Sequence, residues 1–347
     1  MIIDLRSDTK TLPTQGMLSA IANARLGDDQ EHEDFETTAL QDEIKRMLGL
    51  DFAIFLPSAT MANQIALMCQ VSRGEEVIAD EFSHIFRYEG GGAAYLAGAT
   101  TRGVTTVDGV LEVDQIREIV TTQTSEHIRR TALISVENTH NTSGSTAWPM
   151  DRLDALMAYA RDVGMPVHID GSRLFNAAAF HQESPARLVQ GASSVTLCFS
   201  KGLGCPAGAM LAGRSDQLHE APVFRQMMGG SLRQSGILAA AARYALQHNV
   251  DRLADDHANA ELLRNRLADA GMPVVRHPRS TNFVFLDVAS LGISGEQARA
   301  LLAEAGVKWS AGRSASLLRA VPHLGVTTDD IVLAAQRTIA ALQADSS

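Results

Sequence analysis

The chain has 347 residues, which at roughly 100–200 residues per domain suggests two domains or one large and one small. Its mix of 45% hydrophobic and 20% charged residues is that of a globular protein with ample material for a core. Thirty basic against forty acidic residues give a net charge of −10, which excludes a broad basic surface for nucleic acid. A pocket for one small anion stays open.

Cys69, Cys198 and Cys205 show no CxxC spacing and sit in apolar or glycine-rich surroundings, so reduced, buried thiols are expected. Asp4, Arg6 and Asp8 interrupt the first eight residues, so a secretion signal is not expected there. No apolar run is long enough for a bilayer span, and a cytoplasmic location is the expectation.

Taken in chain order, helix and strand patterns alternate. Thr38–Leu48 places Leu40, Ile44, Met47 and Leu48 at helical spacing and stops at Gly49. Ala53–Pro57 reads as a short strand, and Ser58-Ala-Thr60 opens a helix with Met61, Ile65 and Met68 on one face. Further strands are expected at Glu75–Asp80 and Thr131–Val136, then a helix at Asp151–Gly164 and strands at Pro166–Asp170 and Ser194–Phe199. Such continuous apolar runs suit a sheet covered by helices on both faces, an α/β fold.

Beyond about Ser235 the texture changes. Long helices at Ile237–His248 and Asp251–Ala270 lead to a strand at Asn282–Val288, a helix at Gly295–Ala305, a strand at Leu317–Val321 and a helix from Thr327. The expected division is residues 1–240, a large α/β domain, and 241–347, a small α+β domain.

Polar residues close the apolar strands: Glu137, Asp170 and Lys201. In open α/β sheets that edge binds ligands. Lys201, in Ser200-Lys-Gly-Leu-Gly204, alone reads as a surface-loop lysine. Asp170 changes this, because a carboxylate ending a buried strand needs a cationic partner, which a protonated pyridine nitrogen supplies. Arg173 has the fork to grip a carboxylate. His84 suits either stacking on an aromatic cofactor or base chemistry. Ser58-Ala-Thr60 offers a helix N-terminus to a phosphate, compatible with plain capping. A metal reading uses Glu137, His140, His168 and Asp170 but leaves Lys201 and Arg173 idle.

These segments together resemble the low-specificity L-threonine aldolases of the fold-type I pyridoxal-phosphate superfamily. The resemblance runs through Asp4-Leu-Arg-Ser-Asp-Thr9, Gly27-Asp-Asp29, Pro57-Ser-Ala-Thr-Met-Ala-Asn63, Ser83-His-Ile85 and Glu137-Asn-Thr-His-Asn141. It continues in His168-Ile-Asp-Gly-Ser-Arg173, Ser200-Lys-Gly-Leu-Gly204 and Gly229-Gly-Ser-Leu-Arg-Gln234.

The resemblance implies a mostly parallel seven-stranded sheet between helices, with a small C-terminal domain. It implies pyridoxal 5'-phosphate held as a Schiff base by Lys201, with Asp170 at the pyridine nitrogen and His84 on the ring. Ser58, Ala59 and Thr60 would hold the phosphate, joined by Arg233 from a neighbouring subunit. Ser7, Arg173, Arg319 and Tyr88 would bind the amino-acid substrate. The implied reaction is retro-aldol cleavage of threonine-type β-hydroxy amino acids to glycine and an aldehyde, in a homotetramer with active sites at the dimer interface. Racemisation or β-elimination on the same scaffold is the alternative, and a non-catalytic cofactor-binding role the third. The chain departs from the family at Gln30-Glu-His-Glu-Asp-Phe35, where an aromatic-Gly-Glu-Asp-Pro run is usual, and at Ala59 and Ser231, where glycines are usual.

Overall fold

The computed structural model describes residues 2–343. A short N-terminal strand, β1 (Ile3–Asp4), is followed by the strands of a seven-stranded sheet. These are β2 (Phe52–Leu56), β3 (Glu76–Asp80), β4 (Thr100–Val104), β5 (Thr131–Glu137), β6 (Val167–Gly171), β7 (Ser194–Cys198) and β8 (Ala209–Gly213). Their spatial order is β2-β8-β7-β6-β5-β3-β4. β8 is antiparallel to both neighbours, and the other paired strands run parallel, so the sheet is mostly parallel as expected.

Period-two alternation assigns the two faces of this sheet. Ile54, Leu56, Ala209 and Leu211 pack with Ala62, Ile65 and Ala66 of the helix Ala59–Gln70. Phe55, Met210 and Ala212 point the other way. They share a core with Ile134, Val136, Ile169, Val195 and Leu197 and with the helices Phe35–Leu48, Met150–Asp162 and Gly236–His248. The expected boundary near residue 240 falls inside the last of these helices, whose Ala239, Ala241, Ala242 and Ala245 belong to that core.

A second core surrounds β9 (Val274–Val275), β10 (Val284–Asp287), β11 (Val307–Lys308), β12 (Ser310–Ala311) and β13 (Leu317–Ala320). Four of these form an antiparallel sheet in the order β12-β13-β10-β9. β11 instead pairs in parallel with β1, and Ile3 and Leu5 are buried in this second core. The N-terminal segment is thereby anchored to the C-terminal part, and the residues after it, Ser7 and Asp8, are delivered to the rim of the large sheet. No helix among the described residues is long and apolar enough to cross a membrane.

Candidate active site

The carboxyl ends of β3, β5, β6 and β7 make one rim. β5 and β6 are in register so that Glu137 lies beside Asp170, and β7 places Thr196 beside Asp170 on its other side. Lys201 follows β7 in a turn closed by the Gly204 N–H donating to the Lys201 carbonyl at 2.9 Å. Gly204 has φ +80°, and a Cβ there would come within 2.6 Å of Leu324, so this turn calls for glycine on both counts. The hydroxyl of Thr11 donates to the same Lys201 carbonyl at 2.9 Å. The Lys201 side chain is half-buried, and its ammonium has no ion-pair partner among the described residues. Asp8 and Asp170 both feel its charge.

Asp170 is buried. Its Oδ2 accepts from Asn63 Nδ2 at 2.9 Å and its Oδ1 from the Ser172 N–H at 3.1 Å. Burial opposes its ionisation, but the charges of His84 and Lys201 outweigh that and hold its carboxyl below the usual range. Asn63 lies one turn into the helix Ala59–Gln70, so the start of that helix stands about 5–6 Å further along its axis. There Ser58 Oγ accepts from the Met61 N–H at 3.3 Å, an N-cap. Ser58 and Thr60 are exposed and Ala59 half-buried.

His84 opens a one-turn helix directly after β3. Its backbone N–H donates to Glu137 Oε2 at 2.6 Å, and its Nδ1 meets Glu89 Oε1 at 2.8 Å. Burial pulls its pKa down, yet Glu89, Asp170 and Glu137 together raise it above the ordinary value. Asn63 Nδ2 also donates to Glu89 Oε1, at 2.8 Å, so one amide bridges Glu89 and Asp170. Tyr88 stands with its ring centre 5.6 Å from that of His84.

Arg173 is buried and held by Asp8. Its Nε and Nη2 donate to the two Asp8 oxygens at 2.7 and 2.8 Å, and Nη1 donates to Asn141 Oδ1 at 3.3 Å. Burial works against ionisation of Asp8, but Arg173, with Lys201 and Arg319 beyond it, draws its carboxyl down to about 2. Arg319 donates from Nε to Ser310 Oγ at 3.1 Å and from Nη2 to the Arg6 carbonyl at 3.2 Å. Both guanidinium carbons lie 5.0 Å from the ring centre of Phe283. Two cations facing one carboxylate leave a surplus positive charge, which suits an incoming carboxylate. Ser7 Oγ, next to Asp8, accepts from the Thr9 N–H at 3.2 Å.

Lys201, Asp170, Arg173, His84, Tyr88, Ser7 and Arg319 are thus gathered at one rim, with Ser58–Thr60 beside it. Arg233 is not part of this cluster within the chain; it is exposed and paired with Asp28 at 3.0 Å. The divergent loop is tied to the same segment, because Gln30 Nε2 donates to the Ser231 carbonyl and Arg225 Nη1 to Asp29 Oδ2. His32 sits exposed in it at φ 60°.

The four residues of the metal reading do not form one ligand set. His140 pairs with Asp80 at 3.1 Å, and His168 bonds Asn63 and Ser194. Among the described residues, the group whose ligand atoms lie within 4.8 Å of one another is His84, Glu89 and Asp170, already engaged with one another or with Asn63. A cavity of about 280 Å³ lined by Met165, Gly191, Ser193 and Arg214 lies at the opposite, amino-terminal edge of the parallel strands.

Sequence reading overlooked Asp8, Asn63, Glu89 and Asn141. Asp8, Asn63 and Asn141 lie inside the motifs quoted above. Glu89 lies just past the one-turn helix His84–Arg87, five residues after His84, a spacing that carries no helical signal.

Fold and rim together define the class: a lyase of the beta-eliminating lyase family, matched over residues 4–290, built on the scaffold of fold-type I pyridoxal-phosphate enzymes. Within it the chain belongs to the low-specificity L-threonine aldolase family. It is 39% identical over 332 residues to the low specificity L-threonine aldolase of Escherichia coli K12, covering 95% of this chain and 96% of that protein. It is 37% identical over 335 residues to low-specificity L-threonine aldolase 1 of Arabidopsis thaliana, covering 95% and 93%. The threonine aldolase structure from Leishmania major superposes with a TM-score of 0.84 over 99% of this chain and 100% of that one. At 19% identity that likeness speaks to the fold.

Proposed function

We propose that this chain cleaves β-hydroxy-α-amino acids, L-threonine and L-allo-threonine among them, between Cα and Cβ to give glycine and an aldehyde, with pyridoxal 5'-phosphate as cofactor. The observation that carries this is Lys201: a half-buried ammonium without an ion-pair partner among the described residues, at a strand end between the buried carboxylates Asp8 and Asp170. That donor set fits a cofactor with an aldehyde for the amine and a basic ring nitrogen for Asp170. The names borne by the relatives point to the same reaction.

Bound there, the cofactor supplies a sink for the electron pair left on Cα when its bond to Cβ breaks. Lys201 and Asp170 would hold its two ends, and Ser58, Ala59 and Thr60 its phosphate at a helix N-terminus. Arg233 reaches the phosphate of a second copy in this reading. Ser7, Arg173 and Arg319 take the substrate carboxylate and Tyr88 lines the substrate, which fixes the Cα–Cβ bond in the orientation that breaks. His84 takes the proton from the β-hydroxyl oxygen as that oxygen becomes a carbonyl, and Cα gains a proton to complete glycine. Residues 1–240 carry the cofactor groups and 241–347 bring Arg319 over them.

The working form is a homotetramer, a dimer of dimers. Leu12, Tyr95 and Met227, exposed by 78%, 86% and 70%, are apolar surface for such an assembly to cover. Three free cysteines suit a reducing cytoplasm.

The test is incubation of the cofactor-loaded enzyme with L-threonine, L-allo-threonine and phenylserine, with glycine measured by mass spectrometry. Borohydride reduction and peptide mapping then locate the labelled lysine. Glycine from none of the three, or a label away from Lys201, overturns the reading. Racemised alanine, or loss of a β-substituent without glycine, assigns a different reaction to the same site.

A further inference from the structure

The hairpin that supplies Arg319 also carries Arg313, in the turn between β12 and β13. The Arg313 guanidinium carbon lies 4.2 Å from the ring centre of Phe82, and that of Arg87 lies 5.2 Å from the same ring. Phe82 precedes His84 by two residues. Its carbonyl accepts from Thr142 Oγ1 at 3.1 Å, and Thr142 adjoins the Asn141 that accepts from Arg173. This places an aromatic ring beside the His84 turn, with one guanidinium from the β12–β13 turn and one from the helix His84–Arg87 resting on it.

Elsewhere on the chain many arginines are matched by carboxylates, as Arg102 is by Glu76, Arg130 by Glu75 and Arg152 by Glu112. Arg87 and Arg313 are not, among the described residues; Arg87 Nε donates to the Glu81 carbonyl at 2.8 Å and Arg313 rests on Phe82. A guanidinium stacked by its face keeps its in-plane N–H edge for an acceptor, and a carboxylate matches that edge with two parallel hydrogen bonds.

We propose that Phe82, Arg87 and Arg313 form a subsite for an anionic substrate side chain, so that preferred substrates carry a carboxylate beyond Cβ. The inference rests on the aldolase reading above. Arg173 and Arg319 serve the carboxylate on Cα, and Arg313, further out on the Arg319 hairpin, serves the second. For 3-hydroxyaspartate the step balances without an oxidant: the Cα–Cβ bond breaks and the hydroxyl oxygen becomes the aldehyde oxygen of glyoxylate. The hydroxyl proton goes to the base, and Cα takes a proton to give glycine.

The test uses full-length, cofactor-loaded enzyme and two matched pairs: 3-hydroxyaspartate against threonine, and β-(4-carboxyphenyl)serine against phenylserine. We expect kcat/KM to favour the carboxylated member by about tenfold in at least one pair, the worth of one charge-assisted contact. Arg313→Ala, at an exposed turn, should reduce that preference by about fivefold and leave threonine and phenylserine within about twofold. Arg87→Ala should act the same way, Arg313→Lys should keep part of the preference, and Arg313→Glu should reverse it. Cleavage of threonine and phenylserine with no carboxylate preference, or a preference untouched by both alanine variants, overturns the subsite alone. Glycine from none of the four compounds overturns the aldolase reading instead.

Discussion

Arg173 reaches back across 165 positions of sequence to place two of its nitrogens on the two oxygens of Asp8, at 2.7 and 2.8 Å. Both side chains are buried, so neither charge survives comfortably without the other. Asp8→Ala would strand the Arg173 cation, and we expect a loss of about 3 kcal/mol in unfolding free energy. Asp8→Asn keeps the shape but offers one acceptor where Arg173 needs two. It should raise KM for the amino acid by about tenfold with a smaller change in kcat. Because the Asp8 pKa is drawn from 3.8 to about 2, its contribution of roughly 2 kcal/mol is complete above pH 4 and lost as pH falls toward 2. Denaturant titrations of both variants between pH 2 and 7 check this; an Asp8→Asn enzyme as stable as wild type at pH 6 contradicts it.

The Glu89 carboxylate sits 2.8 Å from His84 Nδ1 and leaves Nε2 without a hydrogen-bond partner among the described residues. Burial lowers the His84 pKa, but Glu89, Asp170 and Glu137 raise it overall. Stability from the charged ring is therefore present below its unfolded pKa, near 6.5, and lost as pH rises through the raised folded value. If neutral His84 takes the hydroxyl proton, kcat/KM climbs with pH through that same raised pKa. Glu89→Gln should move the climbing limb to lower pH, and Glu89→Asp should restore much of it. An unmoved limb in the pH profile of Glu89→Gln would remove His84 from the role of base.

His168 gives the protein a second sensitivity to acid, at higher pH than that of Asp8. Its ring is fully buried, with Nε2 against Asn63 Oδ1 at 3.1 Å and Nδ1 against Ser194 Oγ at 2.8 Å. Burial lowers its pKa from 6.5 to about 4 despite the nearby charge of Asp170, so it is neutral in the folded state. The unfolded chain binds the extra proton between those values. Stability is thus full above pH 6.5 and falls by roughly 3 kcal/mol as pH drops to about 4. His168→Gln, with an amide in place of the ring, should flatten the slope of stability against pH in that window. A slope equal to wild type in chemical denaturation at pH 4.5, 5.5 and 6.5 would count against it.

How much of this was legible follows physical lines. β5, β6 and β7 are buried along their whole length, so their apolar runs announced them, and with them the positions of Asp170 and Lys201. β4 is an edge strand with four of its five residues exposed and no apolar run to read. β8, Ala209–Gly213, is too rich in alanine and glycine for a propensity signal; it exists because β2 and β7 pair on either side of it. His84, Asp170 and Arg173 could be read singly, each from its place after a strand. Their partners could not. Asp8 meets Arg173 because β1 is pinned to β11, a pairing more than 300 residues apart that no local pattern encodes. Arg233 was expected at a phosphate on another subunit, and within one chain it pairs with Asp28.

Phe283 has no chemistry of its own, yet it sits 5.0 Å from the guanidinium carbons of both Arg173 and Arg319. Two like charges sharing a site repel, and Arg173 is among the influences that lower the pKa of Arg319, after burial itself. The negative face of the ring offsets part of that repulsion. Arg264 holds this platform in place by donating from Nη1 to the Phe283 carbonyl at 2.6 Å. Phe283→Leu keeps the apolar filling and removes the π face. At about 1 kcal/mol for a partly desolvated cation–π contact, it should raise KM for the amino acid by about fivefold and leave kcat within about twofold. Arg319→Ala should raise KM further, and the double variant should fall short of the product of the two, because the ring acts through the arginine it supports. Additive effects in that cycle, or a loss of kcat equal to the rise in KM, would mean that Phe283 serves the core alone and does not act through the two arginines.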